Sequence, residues 1–163
     1  MKRKAESKPY LTFENLEVYQ VAREFRKAMY EAARALPDLE RFALADQVRR
    51  AAVSLTNNIA EGHGRFHFLE QIKFMLLARG SLEELLDDLN VCSDESYLPE
   101  PKIESLKSNA WRVHKLINGY IRFLRTRKTT ETSRVQELAT ETSQDNLEGQ
   151  FRFNPSTLQP FNE

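Results

Sequence analysis

The sequence predicts an all-α protein, an up-down-up-down four-helix bundle. Two observations carry that expectation. Apolar residues recur at three- and four-residue steps in four successive segments, each long enough for several helical turns. Gly and Pro are scarce, five and six in 163 residues, and most fall between those segments, leaving short connections that suit antiparallel neighbours. A hydrophobic content of 40% is enough for a genuine core in one domain.

The first ten residues, MKRKAESKPY, are polar and read as a flexible arm, set apart as residues 1–11. The first helix is expected over Phe13 to Leu36, with Leu16, Tyr19, Ala22, Phe25, Met29, Ala32 or Ala33, and Leu36 inward, Asn15 as N-cap and Pro37 as the stop. The second spans Phe42 to Glu61. Leu44, Val48, Ala51, Ala52, Leu55 and Ile59 form one broad apolar stripe. Arg50, Ser54, Asn57 and Glu61, with Asn58 on the edge, form a narrow second stripe. A solvated face usually mixes Lys and Glu, so a row of small hydrogen-bonding groups suggests contact with another helix, a subunit or a ligand. Gly62 and Gly64 then offer the permissive backbone of a helix end.

The third helix runs from Phe66 to Ser93. Phe68, Ile72, Met75, Leu82 and Leu86 define its stripe, and Leu76, Leu85 and Leu89 widen it enough to imply burial on more than one face. Arg79 sits within that stripe, where a charge needs a partner; Glu61 and Glu84 are the acids to supply it. The fourth helix covers Lys102 to Arg127, with Pro101 near its first turn. Arg112, Lys115, Arg122, Arg125, Arg127 and Lys128 follow one another without an intervening acid, forming the best basic patch in the chain and a candidate nucleic-acid contact.

Charge is unevenly placed although the net is zero. Residues 1–128 hold 22 Lys/Arg against 18 Asp/Glu, whereas residues 129–163 hold 2 against 6. The mildly basic body hints at an anionic partner. The Thr-, Ser- and Glu-rich tail reads as disordered or briefly helical near Val135 to Ala139, and Phe151, Phe153 and Phe161 at its end suit a docking segment.

Catalysis finds little support. Ser54 and Ser81 lack an adjacent histidine, Gly62-His63-Gly64 lacks the spacing of a phosphate loop, and His63 and His67 flank a glycine outside any metalloprotease pattern. The lone Cys92 excludes a disulfide framework and a Cys-rich zinc site and reads as a small core hydrophobe. The charged N-terminus and the absence of a long apolar run predict a cytoplasmic protein with no membrane contact, no metal and no cofactor.

Three segments, QVRRAAVSLTNNIAEGHGR, LLARGSLEELLDDL and FENLEVYQVA, together resemble the four-helix-bundle family encoded in intervening sequences of bacterial 23S rRNA genes, the S23 ribosomal-type proteins. The resemblance covers roughly residues 12–127. Ala45 stands where a capping residue is expected and Thr56 where Pro or Ala is common. That family is similar in fold to the accessory variability proteins of diversity-generating retroelements. The similarity implies a homopentameric ring that binds nucleic acid and a reverse transcriptase. On this reading Arg49, Arg50, Ser54, Asn58, Glu61, Arg65, Arg79 and Glu84 form a structural or interface polar network, and loss of a buried Arg79 would cost about 3–5 kcal/mol. Two functions follow: a non-catalytic RNA- or DNA-binding scaffold, or a protein-interaction adaptor with no direct nucleic-acid contact. In the second, the acidic tail either docks a partner or shields the basic patch.

Overall fold

Pro37 stops the first helix, and the chain passes through a 3-10 turn, Asp38–Glu40, into the next. The computed structural model describes residues 12–150, with side chains to residue 134; the predicted N-terminal arm and the Phe-bearing end lie outside the described residues. Four α-helices result, α1 (Glu17–Ala35), α2 (Leu44–His63), α3 (Phe68–Asp94) and α4 (Glu100–Gln150), with no strand among the described residues. Two units are distinguished, Met1–Arg125 and Thr126–Glu163.

In the first unit the apolar stripes meet in one core. Phe25 and Met29 of α1, Leu55 and Ile59 of α2, Met75, Leu82 and Leu85 of α3, and Ile103, Leu106 and Ile117 of α4 are all nearly or fully buried. Burial of a large apolar side chain contributes roughly 1.5–3 kcal/mol, so these residues hold the four helices together. No helix among the described residues is long and apolar enough to cross a membrane.

Several boundaries differ from expectation for local reasons. Phe13–Asn15 form a separate 3-10 turn, within which Asn15 Oδ1 accepts from the Thr12 backbone N–H (2.9 Å). Asn15 therefore closes that turn rather than capping α1, whose N-cap is Leu16. The start of α2 has no cap in its own sequence. Glu40, from the 3-10 turn Asp38–Glu40, accepts from the Leu44 N–H through Oε2 (3.1 Å), and through Oε1 it accepts from the Tyr97 hydroxyl (3.0 Å).

Gly62 and Gly64 both keep negative φ, so neither serves as a left-handed stop. Gly62 is needed for space: a Cβ there would lie 2.9 Å from Phe74 Cβ and 3.0 Å from Met75 Cε. The absent side chain lets the end of α2 approach α3 closely.

On α3 the predicted Ile72, Met75, Leu82, Leu85 and Leu89 are buried, joined by Ala78, Ser81, Asp88 and Cys92, whereas Leu76, expected inward, is exposed together with Leu69, Leu77 and Val91. Asp88 is 2% exposed; Gln47 Nε2 donates to its Oδ1 (2.7 Å), and Oδ2 has no partner.

Helix α4 does not stop at Arg127. No proline interrupts residues 129–150 and no glycine before Gly149, so nothing in the covalent chain ends the helix. Within the second unit Thr130 and Thr132 return their hydroxyls to the carbonyls of Thr126 and Lys128, satisfying side chains that otherwise favour non-helical backbone.

Candidate functional site

The polar stripe of α2 faces an open groove through Arg50, Asn57 and Asn58, while its Ser54 also meets α3. Tyr30, Asp46, Arg49, Arg50, Val53, Ser54, Asn57 and Asn58 line an open hollow of about 560 Å³. A second hollow of about 470 Å³ adjoins it along α1, lined by Arg26, Lys27, Tyr30, Glu31, Arg34 and Val53. Tyr30 and Val53 belong to both, so the two form one groove between α1 and α2.

Its walls are braced by short-range bonds. Arg26 Nη1 donates to Thr56 Oγ1 (2.8 Å), which ties α1 to a buried hydroxyl of α2. Asn58 Nδ2 donates to the carbonyl (2.9 Å) and hydroxyl (3.2 Å) of Ser54, and Ser54 Oγ lies 2.9 Å from Ser81 Oγ on α3. Small hydroxyls at that crossing let α2 and α3 approach. Arg50 Nε reaches Asp46 Oδ2 at 3.4 Å with its side chain 75% exposed; Arg49 is 3.8 Å from the same carboxylate and donates to the Arg41 carbonyl (3.1 Å). Lys27 is held by Glu24 (2.7 Å), whose carboxyl that hydrogen bond draws below its ordinary range.

The expected polar network is thus brought together only in part. Arg49, Arg50, Ser54 and Asn58 share the groove. Glu61 pairs with Arg65 four residues on, and Arg65 in turn lies over the Phe74 ring, 4.7 Å from its centroid. Arg79 is half-buried rather than buried and pairs with neither Glu61 nor Glu84. Its Nη1 donates to Asn118 Oδ1 on α4 (3.2 Å), and Glu84 is exposed. The Asn118 amide also meets His114 Nδ1 (3.2 Å), and His114 Nε2 faces Glu83 Oε1 (3.3 Å). A neutral amide and an imidazole therefore join α3 to α4 where an ion pair was expected. That arrangement suits a charge at the edge of the core, since Arg79 keeps contact with water.

On α4 the basic run is divided between the units. Arg112, Lys115, Arg122 and Arg125 belong to the first and are exposed. Arg127 and Lys128 belong to the second and are likewise exposed. Trp111, half-exposed and packed edge-on against His114 (5.4 Å between centroids), lines a hollow with Glu104, Lys107, Ser108, Arg112 and Lys115, three cations against one acid. A flat aromatic ring beside cations is a surface suited to phosphates and bases.

The profile of the 23S rRNA-intervening sequence protein family matches residues 14–119. The chain belongs to that family. A crystal structure of a protein of unknown function from the S23 ribosomal protein family of Bacteroides thetaiotaomicron VPI-5482 superposes with a TM-score of 0.60 at 20% identity. The match covers 64% of this chain and 97% of that one, and at this identity it bears on the fold. No curated protein matches the chain.

The part of the chain matched to the 23S rRNA-intervening sequence family holds the whole α1–α2 groove but only Arg112 and Lys115 of the α4 run. Sequence reading found the α2 wall of the groove and missed the α1 wall, Arg26, Lys27, Tyr30 and Arg34. Helical phase places those residues on one side of α1, but it does not say that this side borders the polar stripe of α2.

Proposed function

We propose that this 23S rRNA-intervening sequence family member is a non-catalytic, oligomeric scaffold that binds RNA or DNA within a ribonucleoprotein or reverse-transcriptase context, acting in the cytoplasm. The observation that carries the reading is the exposed set of cations that α4 presents within the first unit, Arg112, Lys115, Arg122 and Arg125, with the half-exposed Trp111 next to Arg112. Such a surface takes phosphates without reading sequence. Self-association draws support from α3. Leu69, Leu76, Leu77 and Val91 are between 38% and 59% exposed, and a Cβ at Gly80 would meet nothing within 4 Å. A second copy placed there would bury the face that the apolar breadth of α3 anticipates, and a homopentamer is the assembly that the resemblance to the accessory variability proteins implies. A ring multiplies one modest basic patch into a continuous surface.

Light-scattering mass of the purified protein, with and without a structured RNA at low and moderate salt, tests the proposal. A five-subunit mass that rises with RNA and falls back with salt is expected; a monomer indifferent to RNA overturns it. The adaptor reading is favoured by the same exposed apolar face of α3, which suits a protein partner as well as a second copy. A five-subunit mass unchanged by any nucleic acid would select it.

A further inference from the structure

The groove between α1 and α2 has a composition that bundle packing does not explain. Five cations line it, Arg26, Lys27, Arg34, Arg49 and Arg50, against two acids, Glu31 and Asp46. Among the described residues Arg34 has no carboxylate within ion-pairing distance, and Arg50 meets Asp46 through Nε with its side chain 75% exposed. Tyr30 stands where the two hollows join. It is half-buried, its ring stacks on no other aromatic, and its hydroxyl is bonded to no other described residue. Asn57 lines the first hollow, its amide bonded to no other described residue. Each hollow falls within the range of about 300–1,000 Å³ usual for small-molecule sites, leaving room on both sides of Tyr30 for a nucleotide-sized group.

We propose that this groove binds single-stranded nucleic acid, with a base stacked on Tyr30 and the flanking phosphates held by Arg34 and Arg50. The assignment rests on the nucleic-acid reading above but places a contact on a surface separate from the α4 run. A recess with an aromatic side chain between cations admits an unpaired base; a duplex keeps its bases stacked inside and offers only phosphates to such a surface. Asn57 supplies donor and acceptor groups to the edge of a base in the first hollow. Direct stacking and phosphate contact tolerate any sequence, so preference here is for strandedness.

The test uses the full chain and two fluorescent probes, a short oligouridylate and a blunt RNA duplex of equal length, read by anisotropy at low and moderate salt. Tyr30→Leu should weaken oligouridylate binding about tenfold while leaving duplex binding unchanged, and Tyr30→Phe should retain most of it. The paired change Arg34→Gln with Arg50→Gln, both exposed and remote from the core, should lower the salt dependence by about one to two phosphate contacts. Photo-crosslinking of the oligouridylate should mark the peptide carrying Tyr30. If Tyr30→Leu disturbs folding, the crosslink and the arginine pair decide the matter alone. The groove assignment is overturned if these changes leave oligouridylate affinity intact while Arg112→Gln with Lys115→Gln abolishes it, an outcome that leaves the α4 reading standing. It is also overturned if the groove changes alter the mass of the free protein instead, since the groove is then a subunit contact. Binding of neither probe by the unmodified chain removes both readings together.

Discussion

Asp88 carries a carboxyl that burial, with Glu84 and Asp87 nearby, pushes up to about 6, against the opposing hydrogen bond from Gln47. Between roughly pH 4 and 6 the folded chain holds a proton that the unfolded chain has released, so stability is fullest at the acid end and falls as pH rises through that window. A shift of about two units corresponds to about 3 kcal/mol. Asp88→Asn, which keeps the acceptor for Gln47 and removes the charge, should raise stability at pH 7.5 by about 1–3 kcal/mol and flatten the profile between pH 4 and 6. Urea melts across that range check it; an unchanged slope in the variant would show that other groups set the dependence. The two glycines at the α2 end make a paired test. Gly62→Ala should cost about 1–3 kcal/mol because its Cβ meets the Cβ of Phe74, whereas Gly64→Ala, at φ −74° with its nearest neighbour 3.5 Å away, should be neutral or stabilising by up to about 1 kcal/mol. Thermal midpoints in the reverse order would refute the close-approach account. Arg79, half-buried and bonded to an amide, should cost only about 1 kcal/mol on truncation.

At the scale of elements, what sequence pattern shows and hides divides along physical lines. The stripes of α1, α2 and α4 were readable because each helix has one strong apolar face. Helix α3 is apolar nearly all round, so phase marks Ile72, Met75, Leu82, Leu85 and Leu89 as inward but neither sets Leu76 outside nor Asp88 inside, and Arg79 lies at the edge of the core rather than within it. The cap of α2 was hidden because it comes from a residue four positions upstream, in a turn with no periodicity. Glu40→Ala should therefore fray α2 and lower stability by about 1 kcal/mol, seen as faster amide exchange at Leu44 with the α3 amides unaffected. Exchange that rises evenly across the bundle would mean that Glu40 acts through Tyr97 instead. The length of α4 was missed for a different reason: its second half lacks the apolar step on which the reading depended, and only the absence of helix breakers marks it.

For the whole molecule, four helices around one core were legible in full, and one wall of the groove was legible because a Ser- and Asn-rich stripe departs from an ordinary solvated face. Its other wall became visible only once α1 and α2 were set side by side. Assembly belongs to this scale too. Leu76→Glu with Leu77→Glu, both at least 39% exposed in the single chain, should leave its helical content unchanged and reduce the light-scattering mass. Loss of helix on that change would place the two leucines in the fold rather than between subunits.

Cys92, the single thiol, is 2% exposed, and burial together with Asp88 and Glu40 pushes it up to about 11. A closed bundle is thus inert to alkylating reagents, and modification must await a transient opening that uncovers the end of α3. Where reclosing outpaces reaction, the labelling rate reports the equilibrium fraction of open molecules. One native sulfur becomes a clock for breathing motions, readable in a mixture and without any engineered probe. Should subunits clasp one another through α3, that clock will run slower as protein concentration rises.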